Sequence, residues 1–62
     1  MRTIVYRQPV TNQNLDKICD RYTSLGWKEH DIISDSPNHV SAVEFIWNGE
    51  GQPQWPILSD LL

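Results

Sequence analysis

The chain has 62 residues, a net charge of −3 at neutral pH and one cysteine. A domain of this length buries only about 60% of the surface that its unfolded chain exposes, so its stability margin is small. A single cysteine excludes an internal disulfide. Five scattered basic residues against eight acidic ones argue against a nucleic-acid backbone as the main partner.

The sequence also bears on targeting. Residues 1–9 contain no apolar core of the length that a signal peptide needs, and no segment is long and apolar enough to span a membrane. We therefore expect a soluble, cytoplasmic protein with no membrane partner.

The first predicted element is a strand over residues 3–8, whose side chains alternate between two faces. Pro9 ends this strand, because proline cannot donate to a sheet ladder. Thr11 follows as the predicted N-cap of a helix, where its hydroxyl can accept a hydrogen bond from an amide two or three residues on. The chain is thus expected to pass from strand to helix within a few residues.

The central element is an amphipathic helix that begins near Leu15 and ends at Gly26. Its apolar residues recur at spacings of three and four, which places them on one helix face. Gly26 is predicted to take the left-handed conformation that ends many helices, and Tyr22 and Trp27 then occupy positions that touch. The apolar face consists of Leu15, Ile18, Cys19, Tyr22 and Leu25.

Two further strands are predicted, joined by a turn over residues 34–38. The segment 28–34 is polar at its start, which is typical of an edge strand. The segment 40–47 carries apolar residues on both parities, which is typical of a central strand. The third strand is therefore expected to insert between the first two, which gives the sheet order 1-3-2.

These elements predict an α+β domain of β-α-β-β order, half of a split β-α-β arrangement, with one helix on a three-stranded sheet. Glu44 indicates which sheet face meets the helix, because an unpaired carboxylate in the core would be strongly destabilising. Val43, Phe45 and Trp47 should therefore face the helix. The opposite face, which includes Ile46, is partly apolar, and this exposure favours a homodimer.

The C-terminal part of the chain has a different composition. Residues 1–47 are predicted to form the domain, and residues 48–62 to form a flexible hinge and an apolar docking tail. Pro56 suits the first turn of a short helix. Because so short a helix does not hold alone in water, the tail is expected to dock, either over the open sheet face of its own chain or on another chain.

No catalytic or metal-binding pattern is recognisable. His30 and His39 flank the predicted hairpin, but a metal site requires at least three converging ligands. Cys19 lies on the apolar helix face, where a thiol is usually a small buried hydrophobe, and no serine lies in a nucleophile elbow. We expect no enzymatic activity, no metal and no cofactor.

The segment Leu25-Gly26-Trp27, with a strand and a helix before it and a hairpin after it, resembles a class of very small bacterial and phage proteins of unknown function. In that class the helix ends in Leu-x-x-Gly-Trp or a similar sequence. The resemblance covers residues 3–47 and implies the same β-α-β-β fold, with no activity or site residues. The segment 55–62 departs from the class.

The sequence favours a non-catalytic protein-binding module, an adaptor or inhibitor of bacterial or phage origin that acts through its sheet face, its acidic rim or the tail with Trp55. Trp55 lies outside the predicted core and is expected either to bind a partner or to anchor the tail, since tryptophan is enriched at interface centres. The alternative is a nucleic-acid-binding regulator, in which dimerisation combines Arg2 and Arg7 into a basic patch. The residues predicted to bind a partner are Trp55, Ile57, Leu58, Leu61 and Glu44.

Overall fold

The computed structural model describes residues 3–47 and 51–62. Its elements are strand β1 (Ile4–Pro9), helix α1 (Leu15–Ser24), strand β2 (Trp27–Ser36) and strand β3 (His39–Trp47). Strand β3 lies between β1 and β2 and pairs antiparallel with both. The predicted α+β class, the β-α-β-β order and the sheet order 1-3-2 are confirmed. Residues 48–50, half of the hinge predicted over residues 48–53, lie outside the described residues.

The hairpin between β2 and β3 is tighter than predicted. Its turn consists of Pro37 and Asn38, because β2 continues to Ser36. The pairing of β2 with β3 is irregular, with register shifts at three places along β2. Such bulges let a strand absorb residues that have no direct partner, which accounts for the length of β2. The shifts fall between Glu29 and Asp31, between Ile33 and Ser34, and between Ser34 and Ser36.

The entry to α1 is closed by two reciprocal hydrogen bonds between Thr11 and Asn14. The Thr11 hydroxyl accepts from the Asn14 amide at 3.2 Å, and the Thr11 amide donates to the Asn14 side-chain oxygen at 2.8 Å. This arrangement is a capping box with asparagine in its last position. The hydrogen bond predicted for the Thr11 hydroxyl is present, but the N-cap of the regular helix is Asn14, which makes no side-chain capping bond, so the predicted N-cap lies three residues too early.

The exit from α1 depends on Gly26, whose φ is +112°. The regular helix ends at Ser24, slightly earlier than predicted, and the chain turns into the positive-φ glycine as expected. A Cβ at position 26 would lie 3.2 Å from Cζ3 of Trp47. The backbone and the neighbouring indole therefore both disfavour a side chain here. The rings of Tyr22 and Trp27 meet edge to face at 5.6 Å, which confirms the predicted contact.

The core lies between α1 and the sheet face that carries Val43, Phe45 and Trp47, as predicted. Tyr22 stacks on Phe45 with ring centroids 4.2 Å apart. Its hydroxyl donates to the side-chain oxygen of the buried Gln8 at 2.7 Å. Burial raises the pKa of Tyr22 to about 12, so this hydroxyl keeps its proton at neutral pH.

Glu44 lies on the other face of the sheet, away from the core. Its carboxylate is 3.2 Å from the guanidinium of Arg7, the residue that faces it across the β1–β3 ladder. The predicted orientation of Glu44 is confirmed, and the ion pair supplies the partner that this carboxylate needs. We call this side of the sheet, which also carries Val5 and Ile46, the outer face.

Candidate protein-interaction surface

The tail, residues 51–62, contacts its own chain beside α1. Leu58 and Leu61 pack against the core cluster, and the indole N–H of Trp27 donates to the carbonyl of Gln54 at 2.6 Å. The tail therefore lies on the helix side of the sheet. The prediction that it folds back over the open sheet face is wrong, because its leucines find apolar contacts along the margin of the existing core.

The predicted short helix after Pro56 is also absent. Residues 53–58 form no regular element, and residues 59–61 form a turn. Side chains of the domain bind the carbonyls of Gln54, Ile57 and Leu61, so these groups have partners outside the tail. A helix would bind such carbonyls internally, but an irregular segment is equally satisfied when neighbouring side chains donate to them.

Arg21 of α1 fastens the tail. One guanidinium nitrogen donates to the carbonyl of Ile57 at 2.8 Å and to Oδ1 of Asp60 at 2.5 Å, and the other donates to Oδ2 of Asp60 at 2.7 Å. These hydrogen bonds lower the pKa of Asp60 to about 2. The two-pronged geometry is the specific form of an arginine–carboxylate pair. We call the contacts of Arg21 with Ile57 and Asp60 the clasp.

The clasp holds a part of the tail that exposes large apolar side chains. The ring of Trp55 packs edge-on against Tyr6 at 4.9 Å and lies 5.0 Å from the ring of Trp27. Nevertheless 52% of Trp55 and 78% of Ile57 remain exposed. Between them and α1 lies a shallow, mostly apolar depression of about 310 Å³, which we call the tail groove. It is lined by Arg21, Ser24, Leu25, Trp55, Pro56 and Ile57.

The structure separates the residues predicted to bind a partner. Trp55 and Ile57 lie together at the tail groove. Leu58 and Leu61 are half-buried and attach the tail to the domain. Glu44 lies on the outer face, away from the other four. Trp55 combines both roles considered for it, since it anchors the tail on aromatic neighbours and leaves half of its surface exposed.

Sequence reasoning missed Arg21 and Leu25 as members of this surface. Arg21 is separated from Asp60 by 39 residues, and no local pattern links the two. The only available signal was the opposite charge of a tail carboxylate and a helix arginine. Leu25 was assigned to the apolar helix face, but its position after the last helical residue places it at the margin of the core, where it lines the groove.

The outer face has no covering segment among the described parts of the chain, because the described contacts of the tail lie on the helix side. Val5 is 54% exposed there.

The basic patch of a nucleic-acid-binding dimer would need Arg2 and Arg7. Arg2 lies outside the described residues, and Arg7 is paired with Glu44.

The thiol of Cys19 and the imidazole of His39 each contact a carboxylate of the same chain. The thiol of Cys19 donates to a Glu29 carboxylate oxygen at 3.4 Å, and partial burial followed by this bond raises its pKa to about 12. A protonated thiol is a poor nucleophile. Nδ1 of His39 lies 2.6 Å from Oδ1 of Asp35 at the hairpin. Within residues 3–47 and 51–62, no cluster of three or more such side chains has the geometry of a metal site.

Comparison of the chain with protein-family models, curated proteins and solved structures gave no match. Among the described residues, no helix has the length and hydrophobicity needed to cross a bilayer.

Proposed function

We propose that this protein is a non-catalytic protein-binding module, an adaptor or an inhibitor, that engages another protein through the tail groove. The observation that carries this proposal is the exposure of Trp55 and Ile57 on a segment that Arg21 and Asp60 fasten to the helix. The aromatic rings of the core are buried, whereas Trp55 and Ile57 remain exposed beside an open depression.

The energetics of association favour such an arrangement. Full burial of a side chain such as Ile57 contributes roughly 1.5–3 kcal/mol, and a buried tryptophan is a frequent energetic centre of an interface. Binding is opposed by the entropy of ordering loops and side chains at the interface. The clasp and the aromatic contacts of Trp55 order the tail before a partner arrives. Binding therefore loses less conformational entropy.

The groove is suited to binding rather than to bond making. Its only hydroxyl belongs to Ser24, which donates to the carbonyl of Arg21 at 2.9 Å. Arg21 is engaged by Asp60, and neither histidine lines the depression. An apolar side chain of a partner protein, placed between Trp55 and Leu25, is the occupant that this lining favours. The net charge of −3 also favours a protein partner over a nucleic acid.

The proposal is tested by affinity capture with the immobilised full chain from a lysate of its source organism, using two matched variants. Ile57→Asp places a charge in the groove at a side chain that is 78% exposed, where a polar replacement removes little buried surface. Ile32→Asp makes the same change on β2 at a residue that is 44% exposed and does not line the groove. Circular dichroism checks that both variants fold.

We expect a specific captured protein that is retained by wild type and Ile32→Asp and lost with Ile57→Asp. The purified captured protein should then show at least a roughly tenfold weaker affinity for Ile57→Asp, the effect of losing one well-buried apolar contact. Equal capture by all three chains, or capture that only nucleic acid mediates, would contradict the proposal.

A further inference from the structure

We propose that the free edge of β1 pairs antiparallel with the same edge of a second copy of the chain, which joins two three-stranded sheets into one. This edge adjoins the tail groove at one point, because Trp55 of the groove packs against the ring of Tyr6 at 4.9 Å. The main-chain groups of the edge are not part of the groove, and the inference does not depend on the proposed function. The predicted homodimer thereby acquires a specific interface, at the sheet edge rather than across the outer face.

The register of β1 determines which of its main-chain N–H and C=O groups have no partner on β3. The amide of Val10 donates to the carbonyl of Ser41 at 3.0 Å, and Tyr6 and Gln8 also face partners on β3. Main-chain groups alternate in direction along an antiparallel strand, so the N–H and C=O groups of Val5 and Arg7 point away from β3. No backbone group of another described segment bonds to them.

The two edges of the sheet differ in their fitness for pairing. Strand β2 has three register shifts and a row of exposed charged or ionisable residues between Lys28 and Asp35. Bulges and charges of this kind protect an edge from a second strand. Strand β1 pairs with β3 without a shift and carries Arg7 as its only charged residue. The protected edge is therefore β2, and β1 is the edge that remains available.

The register of the pairing is determined by face, charge and strand length. A shift by one residue would place the helix side of one copy beside the outer face of the other. Only registers that differ by an even number of residues therefore keep like faces together. Arg7 on the two-fold axis would set two guanidinium groups directly opposite each other, which is destabilising. Val5 on the axis would extend the pairing to residue 3, beyond β1. With Tyr6 on the axis, Val5 pairs with Arg7 of the partner subunit and Arg7 with Val5 of the partner subunit.

This register covers the apolar surface that β1 exposes. Tyr6 is 36% exposed and would face Tyr6 of the partner subunit, as an aromatic pair on the helix side. Val5 is 54% exposed and would lie against the aliphatic part of Arg7 of the partner subunit on the outer face. The two Arg7 guanidinium groups become diagonal neighbours, and Glu44 neutralises each one at 3.2 Å. Glu44 thus supports the dimer through Arg7.

Sedimentation equilibrium of the full chain over a wide concentration range tests this pairing. We expect a monomer–dimer equilibrium in wild type. Val5→Lys places an ammonium group beside the partner's Arg7 twice in each dimer, which should raise the dissociation constant roughly tenfold or more. Ile32→Lys, the same type of change on the protected edge, should leave the constant unchanged. Glu44→Gln should weaken the dimer as well, and more strongly at low salt.

Amide hydrogen exchange locates the contact. The Val5 and Arg7 amides of wild type should exchange more slowly as the protein concentration rises, and Glu44→Gln should reduce that dependence even if Val5→Lys fails to fold. A wild-type chain that stays monomeric at every concentration would overturn the proposal, and so would an edge that binds only a strand of another protein. A dimer that Val5→Lys and Glu44→Gln leave as stable as wild type would also overturn it.

Discussion

The core beneath α1 and the tail beside it are held together by different forces. In the core, the buried Tyr22, Phe45 and Val43 make continuous apolar contacts, with one internal hydrogen bond from Tyr22 to Gln8. The tail has two half-buried leucines and a few polar bonds, the strongest of which joins Arg21 to Asp60. Many weak contacts therefore specify the core, whereas a few directed bonds position the tail.

This difference assigns stability to the core and the presentation of binding side chains to the tail. Apolar burial stabilises in proportion to the area removed from water, so the core supplies most of the free energy of folding. Exposed hydrogen bonds and ion pairs determine the orientation of a segment but add little to the free energy of folding. The tail can therefore present Trp55 and Ile57 at a defined place without being essential to the fold.

The largest effect is expected for Phe45→Ala. Phe45 is fully buried against Tyr22, and truncation of a buried phenylalanine costs about 3–5 kcal/mol. That loss equals the whole stability expected of a core this small. Urea titration followed by circular dichroism should find the variant largely unfolded without denaturant. A cooperative transition close to that of wild type would show that the core is not where stability resides.

Deletion of residues 51–62 should have a smaller effect than loss of Phe45. The truncated chain loses the partial burial of Leu58 and Leu61, which corresponds to roughly 1.5–3 kcal/mol, about half of that for two fully buried leucines. We expect a lower melting temperature with the sheet and helix retained in the circular dichroism spectrum. An unchanged melting temperature would mean that the tail does not pack on the core, and an unfolded chain would mean that it belongs to the core.

Gly26→Ala should destabilise the fold by about 1–2 kcal/mol, the cost of a side chain at a left-handed position. The added Cβ also approaches Trp47 to 3.2 Å, so the indole must shift. Ser24→Ala, a nearby change at an exposed residue, serves as the control. A melting temperature equal to that of the control would indicate that the turn after α1 tolerates other conformations.

The smallest effect on global stability, but a specific one on the tail, is expected from titration of Asp60. Because its pKa is lowered to about 2 from the ordinary 3.8, the clasp is at full strength above pH 4 and is lost as the pH falls toward 2. The protection factors of the tail amides, taken relative to the intrinsic exchange rate at each pH, should therefore fall over this range before those of the core amides do. Asp60→Asn should abolish that acid step. A tail whose protection has the same pH dependence in both chains would contradict the role of the clasp.

The sequence was sufficient for the regular elements because their signals are local. The spacing from Leu15 to Leu25 gave the helix, Gly26 gave its exit, and the apolar run 40–47 gave the central strand. The orientation of Glu44 was also predictable, because an unpaired carboxylate is strongly disfavoured on the sheet face that packs against the helix. Each of these inferences depends on residues close together in the chain or on a strong energetic penalty.

The position of the tail was not predictable in the same way. The pairing of Arg21 with Asp60 spans 39 residues, and each residue alone is typical of a solvated surface. The apolar spacing of Ile57, Leu58 and Leu61 suggested a helix, but side chains from the domain bind the tail carbonyls instead. The length of β2 was missed because its bulges interrupt the alternation that marks a strand. Long-range directed bonds and irregular pairing leave little trace in a local pattern.

The central claim, that the clasp holds Trp55 and Ile57 in place before any partner binds, is tested most directly by backbone ¹⁵N relaxation of the tail. We predict order parameters at Ile57 and Asp60 near 0.85, the value of a rigid backbone, and equal to those of α1. Values below about 0.6 at these two amides, with a rigid α1 in the same sample, would contradict the claim.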